Sequence, residues 1–287
     1  MNNNTHVVIM AGGVGKRLFP ISTPERPKQF IDLLKCGKTM IQLTVERFLP
    51  ICPIENFWVV TSEKYIRFIR EQVPGIKPSH VLAEPEARNT APCIAYACTK
   101  IAQHYPGANI IVSPSDAYVG ENDLFLDAIN NALNFTCDSN RIVTLGIVPD
   151  RPATEYGYIE AGKTVLRPVK KVLSFKEKPC EELAAEYVQS GKYFWNAGIF
   201  IWNQRTIEAQ LRKYAPQIMS MMDKIQPHIY QGDESAALRV YFPQCEKISI
   251  DYAVMEKSND IFMIPCSFTW SDLGSFKALD EIQAKMK

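Results

Sequence analysis

Short apolar runs alternate with longer segments of helical period along the first half of the chain. Residues 6–11, 56–61, 80–83, 109–113 and 141–147 read as strands. Between them, 39–49, 62–73, 90–104 and 121–136 place apolar residues three and four apart, the spacing of a helix with one buried face. Such alternation predicts a mostly parallel sheet with helices on both faces. Right-handed crossovers bring the strand C-terminal ends to one edge, so the loops at 12–20, 84–90 and 113–118 should meet at one crevice. After residue 150 the pattern turns β-rich, with 155–160, 168–176 and 194–202 and a helix at 180–190. Helices near 204–224 and 233–242, a short helix after Ser249-Ile250-Asp251, a strand at 261–265 and a terminal helix at 273–285 complete the reading. Without a repeat, low-complexity run or Gly/Ser linker, one α/β domain over 1–287 is favoured over two.

Composition narrows the chemistry. The 287 residues carry a formal net charge of +1, so no general basic field exists for nucleic acid or a membrane surface. Any phosphate recognition must be local. Eight cysteines contain no CxxC pair, and the opening residues lack the charged and apolar regions of a secretory leader, which points to a reduced, cytoplasmic protein. No apolar run reaches the roughly 18 residues a membrane helix needs. The four histidines form neither HExxH nor a zinc-like cluster with cysteine, and read as structural or solvated.

The first strand runs into Gly12-Gly13-Val14-Gly15-Lys16-Arg17-Leu18-Phe19-Pro20, followed by Arg26-Pro27-Lys28-Gln29-Phe30. Glycines let backbone N–H groups close on phosphate oxygens, Arg17 can grip two oxygens at once, and Lys28 adds a point charge. A P-loop is excluded because Arg17 follows Gly15-Lys16 and Met10 stands where the earlier glycine is required. A dinucleotide fingerprint is excluded because Leu18 takes the third glycine position.

Two acids are candidate metal ligands: Asp116, after the 109–113 strand, and Asp272, in Trp270-Ser271-Asp272-Leu273-Gly274-Ser275. Mg²⁺ needs few carboxylates when phosphate and water complete its shell. The competing reading makes Asp116 a turn residue and Asp272 the cap of the last helix. In Ser174-Phe175-Lys176-Glu177-Lys178-Pro179, Glu177 and Lys178 would face opposite sides if the strand continued; one would accept sugar hydroxyls and the other grip a phosphate. A charged strand end is the plainer alternative. Tyr156-Gly157-Tyr158 and Trp195-Asn196-Ala197-Gly198 offer flat apolar faces and an amide, the mixture of a sugar pocket, unless the aromatics are simply core. No serine-histidine-acid order or reactive cysteine competes, so phosphoryl or nucleotidyl transfer is the reaction class.

In order along nearly the whole chain, these motifs resemble those of the sugar-phosphate nucleotidyltransferases. They are joined by Glu84-Pro85 with Arg88-Asn89-Thr90-Ala91-Pro92, Pro114-Ser115-Asp116 and Ser249-Ile250-Asp251-Tyr252-Ala253-Val254-Met255-Glu256. Pro27-Lys28-Gln29-Phe30 and the Arg-Asn-Thr-Ala-Pro segment look like the guanylyl branch. The resemblance implies a Rossmann-like, GT-A-like fold, with a nucleotide-binding half at about 1–150 and a sugar-phosphate half at about 151–287; the family often adds a C-terminal β-helix or cupin module, which is not expected here because the chain ends just after the Asp272 motif. It implies GTP and mannose 1-phosphate as substrates and GDP-mannose and diphosphate as products. Gly12, Gly13, Gly15, Glu84, Asn89 and Thr90 would then hold the nucleotide, Gly157, Glu177, Lys178 and Asn196 the sugar phosphate, and Asp116 and Asp272 Mg²⁺. Arg17, Lys28 and Lys178 would be the catalytic cations. Val14, Lys16 and Ala117 depart from the family pattern; a histidine is usual where Ala117 stands. Rival readings are another base or hexose 1-phosphate, or a silent GDP-sugar-binding regulator. The 204–245 helices leave open a homodimer face or a cover for the sheet.

Overall fold

The structure, a computed structural model, describes residues 4–176 and 178–286, and the Lys16 side chain lies outside that description. Its strands are β1 (Thr5–Met10), β2 (Phe57–Ser62), β3 (Val81–Glu84), β4 (Asn109–Pro114), β5 (Tyr118–Val119), β6 (Ile142–Ile147), β7 (Tyr158–Leu166), β8 (Val169–Lys176), β9 (Tyr193–Asn203), β10 (Ile261–Cys266) and β11 (Trp270–Ser271). Its helices are α1 (Met40–Phe48), α2 (Ile66–Gln72), α3 (Thr90–His104), α4 (Asn122–Thr136), α5 (Glu181–Ser190), α6 (Gln204–Tyr214), α7 (Pro216–Ile225), α8 (Glu234–Tyr241) and α9 (Phe276–Lys285).

The main sheet runs β3-β2-β1-β4-β9-β6-β10-β8-β7. β3, β2, β1 and β4 are parallel, β9 runs antiparallel between β4 and β6, and β10 is parallel to β6. The expected α/β architecture with a mixed central sheet is observed, but only half of its neighbouring pairs are parallel: β4–β9, β9–β6, β10–β8 and β8–β7 are antiparallel. Successive strand residues face opposite layers. Val8, Ile110 and Val112 pack under α3, α6 and α7 residues such as Ile94, Ile207 and Ile218. Val7, Ile9 and Ile111 pack on the other side with Ile41, Phe48 and Ile129 of α1 and α4. A smaller cluster of Leu18, Leu33, Leu34, Met40, Leu273, Leu279 and Ile282 fastens the turn after the glycines to α9.

From β1 the chain winds to β2 and β3 on one side and returns to β4 on the other. The C-terminal ends of β1 and β4 therefore flank the crevice where such sheets bind ligands. Two further features differ from the sequence reading. The helix expected near 204–224 is two, because Ala215 leaves helical geometry and Pro216, which has no N–H to donate, starts α7. β8 is described as far as Lys176, and the expectation that Glu177 and Lys178 face opposite sides falls on Glu177, which lies outside the described residues. The ribbon β5–β11, pairing Tyr118 with Ser271 and Val119 with Trp270, was not foreseen. Two-residue strands leave no period to read. Among the described residues, no helix is long and apolar enough to cross a membrane.

At the other end of β1, His6 Nδ1 accepts the Trp58 indole N–H at 3.1 Å, and His80 stacks on Trp58 with ring centres 3.6 Å apart. Burial pushes both imidazoles down from 6.5 to about 4, with Lys77 adding repulsion to each, His80 to His6, and Lys100 and His104 to His80. Unfolded rings would take protons near pH 6.5 that the folded rings refuse until about pH 4. This contribution to stability is therefore whole above pH 6.5 and is lost as pH falls toward 4, on the order of 3 kcal/mol for each ring. Urea midpoints across that range should fall steeply in the wild type and less steeply in His80→Phe, which keeps a stacked ring without a proton site.

Candidate active site

Gly15 sits at φ +64°, and a Cβ there would stand 2.7 Å from Ser22 Oγ and 3.1 Å from Lys28 Cγ. Glycine is needed for both the backbone turn and the close approach of Lys28. Ser22 Oγ donates to the Val14 carbonyl at 3.0 Å. The buried Gln29 amide donates to the carbonyls of Ala11 and Gly13, each at 2.9 Å. Those carbonyls are thereby held back on the protein side of the loop. Gln29 and Ser22 were given no site role from sequence, although Gln29 stands in the Pro-Lys-Gln-Phe motif and could have been suspected.

The short helical turn Lys28–Phe30 buries Lys28, which is 7% exposed. Its ammonium pairs with Asp116 Oδ2 at 3.0 Å and also donates to the Asp272 carbonyl oxygen. These partners offset the cost of burying an ammonium group. Asp116 reaches it because Ser115 N donates to the Met10 carbonyl, tying the end of β4 to that of β1.

Arg17, 61% exposed, pairs with Asp272 Oδ2 at 3.1 Å. Asp272 Oδ1 accepts from Gly274 N at 2.8 Å and from the Tyr156 hydroxyl at 3.2 Å. Ser275, not Asp272, caps α9, its side chain accepting from Ala278 N. The helix-cap alternative for Asp272 therefore fails. A Cβ at Gly274 would lie 2.6 Å from both Asp272 Oδ2 and an Arg17 nitrogen, so glycine there lets this pair close over the backbone as it does. Tyr156, expected to face a sugar, is wedged edge-on between Trp195 and Trp270 at 5.0 Å from each. Burial first, then the neighbouring Asp272, pushes its phenol up. Two adjoining clefts result. One, of about 270 Å³, is lined by Gly15, Arg17, Lys28, Asp116 and Gly274; the other, of about 380 Å³, shares Arg17 and Gly274 and adds Arg151 and Asp272.

Glu84 ends β3, and its Oε2 lies 3.3 Å from where a Gly12 Cβ would be, so the loops at 12 and 84 do meet. Burial pushes its carboxyl up to about 8. Asn89 caps α3, Oδ1 accepting from Thr90 N at 2.8 Å, while Thr90 Oγ1 accepts from Ile250 N at 2.9 Å. Asn196 is also engaged: Nδ2 donates to Asp251 Oδ1 at 2.9 Å, and Oδ1 accepts from Gly198 N at 3.1 Å. Asp251, whose carboxyl burial pushes up, is a partner 55 residues away that no local pattern announced. The Gly157 carbonyl accepts from Asn196 N at 2.8 Å, and Lys178 is exposed beyond the end of β8. The structure thus joins Arg17, Lys28, Asp116 and Asp272 in one hydrogen-bonded group, and Gly157 with Asn196 in another. Lys178, carried by the loop after β8, is brought into neither group.

Asp116 and Asp272 are each about one-quarter exposed at side-chain level, 26% and 27%. Among the described residues no group of three or more His, Cys, Asp or Glu could hold a metal ion. Two partly open carboxylates, each paired with a cation, fit a hard divalent cation whose remaining ligands are phosphate and water.

The sequence profile of the Nucleotidyl transferase family matches residues 6–287. The chain is 36% identical to Mannose-1-phosphate guanylyltransferase of Escherichia coli (strain K12), covering 96% of itself and 59% of that protein. It is 35% identical to Mannose-1-phosphate guanylyltransferase ManC of Salmonella typhimurium, with the same coverage of 96% and 59%. It therefore spans about three-fifths of the length of these relatives. Among solved structures, that described as mannose-1-phosphate geranyltransferase from Thermus thermophilus superposes with a TM-score of 0.88 at 32% identity, covering 97% of this chain and 79% of that one.

Proposed function

Because this chain belongs to the nucleotidyl transferase family, we propose that it transfers the guanylyl group of GTP to α-D-mannose 1-phosphate, giving GDP-mannose and diphosphate. The observation that carries this reading is the doubled pair at the glycine loop, Lys28 with Asp116 and Arg17 with Asp272. It sets two cations and two acids along two adjoining clefts beside the backbone amides of that loop.

In this reading the amides of Gly12, Gly13 and Gly15 receive the triphosphate. Arg17, long and exposed, turns from Asp272 to the phosphate oxygens, whereas Lys28 is fixed by its burial and meets the α-phosphate in place. Glu84, Asn89 and Thr90 lie toward the base. Gly157, Glu177 and Asn196 hold the sugar, and Lys178 draws in its phosphate. A phosphate oxygen of mannose 1-phosphate forms the bond to the α-phosphorus as the bond to diphosphate breaks in line. The attacking phosphate is already ionised near neutral pH, so no histidine base is required. Mg²⁺ held by Asp116 and Asp272 would supply charge neutralisation on the phosphate oxygens.

Diphosphate release across a grid of nucleoside triphosphates and hexose 1-phosphates tests the reading. A dominant response for GTP with mannose 1-phosphate is expected; a dominant response elsewhere moves the substrate, and silence everywhere removes the activity. A further outcome concerns Glu84. Burial favours the protonated carboxyl below about pH 8, and the ionised form is the stronger acceptor for guanine N1–H and the amino group. GTP affinity should therefore rise as pH increases through about 8, and this rise should vanish in Glu84→Gln. Calorimetry checks it, with ATP as the control for triphosphate ionisation.

A further inference from the structure

Apart from the two clefts of the candidate active site, and sharing no lining residue with them, lies a cavity of about 490 Å³. Leu43, Lys38, Glu46, Arg47, Tyr118 and Asn122 are in its wall. Arg47, in the last turn of α1, is only 8% exposed. Among the described residues its guanidinium has no carboxylate within ion-pair distance. It makes one long hydrogen bond, 3.5 Å to the Ala117 carbonyl oxygen, and stands 5.7 Å from the centre of the Phe125 ring. The neighbouring acid is taken: Glu46 Oε2 is held by Lys38 at 2.7 Å. A guanidinium has five N–H donors in a rigid fork, and among the described residues only Nη2 is used here, which leaves the other donors open to an occupant of the cavity that Arg47 lines. The C-terminal end of α1 eases the charge without presenting an acceptor to it.

We propose that this cavity is an anion site in which Arg47 grips a phosphoryl group. Arg47 and Lys38 against Glu46 leave one net positive charge on the wall. The Tyr118 hydroxyl and the Asn122 amide add neutral donors. A phosphoryl group offers more acceptor oxygens than a carboxylate and can use both the fork and these donors. The position is also behind both candidate metal ligands. Ala117, which receives the Arg47 bond, follows Asp116, and Tyr118 pairs with Ser271, which precedes Asp272. An occupant would press on the ribbon that carries the two acids, the place of an effector rather than a substrate.

Calorimetric titration of the whole protein with inorganic phosphate, pyrophosphate and GMP distinguishes the sites. For at least one probe we expect two binding events. One should be lost or weakened about tenfold in Arg47→Met and the other in Arg17→Ala. GMP binding more tightly than inorganic phosphate at the Arg47 site would assign the apolar wall to a nucleoside; equal affinity would assign the site to the phosphoryl group alone. Both outcomes support the proposal. A single binding event for every probe, or a second event unchanged in Arg47→Met, overturns it. Should Arg47→Met fail to fold, Asn122→Glu serves instead. A carboxylate supplied by the chain should raise the thermal midpoint and abolish the second event, and no change in either would also overturn the proposal.

Discussion

Lys28→Ala is expected to lower turnover by about 10²–10³-fold, the usual consequence of removing a group that stabilises charge chiefly in the transition state. The expectation comes from how the lysine is held. It is 7% exposed, paired with Asp116 and bonded to the Asp272 backbone, so its ammonium is fixed before substrate arrives. A preorganised charge acts on the developing phosphate charge without reorganisation, and the loss should therefore fall on kcat more than on KM. The same deletion leaves Asp116 facing the cleft without its cation. Steady-state diphosphate release, read beside a circular dichroism melt, separates a catalytic loss from unfolding. Turnover within a few-fold of wild type, with the fold intact, would take Lys28 out of the proposed mechanism.

Asp272→Asn should have an effect of the same order, about 10²–10³-fold, and should also move the divalent-metal requirement. Asparagine keeps the shape, and its amide oxygen can still accept from Gly274 N and the Tyr156 hydroxyl, as Oδ1 does now. What it loses is the charge that pairs with Arg17 and would hold a cation. Ser275 caps α9 independently, so the thermal midpoint should scarcely move. Rates measured over a Mg²⁺ titration give the answer. A variant with wild-type rate and unchanged metal dependence would reduce Asp272 to a turn residue.

Reading order and period carried far in this protein because the strands that build the crevice are buried on both faces. Val7, Val8 and Ile9 are fully buried, so β1 appears in sequence as an uninterrupted apolar run. Its exit into Gly12-Gly13-Val14-Gly15 is equally visible, since a turn at positive φ against a packed lysine leaves few alternatives to glycine. Where the pattern was short or the partner distant, it failed. The β5–β11 ribbon has two residues on each side, yet it sets Asp116 and Asp272 beside neighbouring strands. Tyr156 looked like a sugar-facing aromatic because its chemistry is the same whether it touches a ligand or supports Asp272.

By itself, then, the sequence determined the alternating α/β order, the parallel β3-β2-β1-β4 part of the sheet, the glycine loop and the candidate cations and acids. Each of these is encoded by local period or by a residue type that the backbone conformation demands. Only the tertiary structure decided which cation meets which acid, that Asn196 is held by Asp251, and that Arg47 is buried with no carboxylate in ion-pair reach among the described residues. Those pairings join residues 88, 255, 55 and 70 positions apart, as Lys28 with Asp116, Arg17 with Asp272, Asn196 with Asp251 and Arg47 with Ala117. Coulomb attraction and desolvation act on distance in space, and that distance is set only when the sheet, the ribbon and α9 have packed.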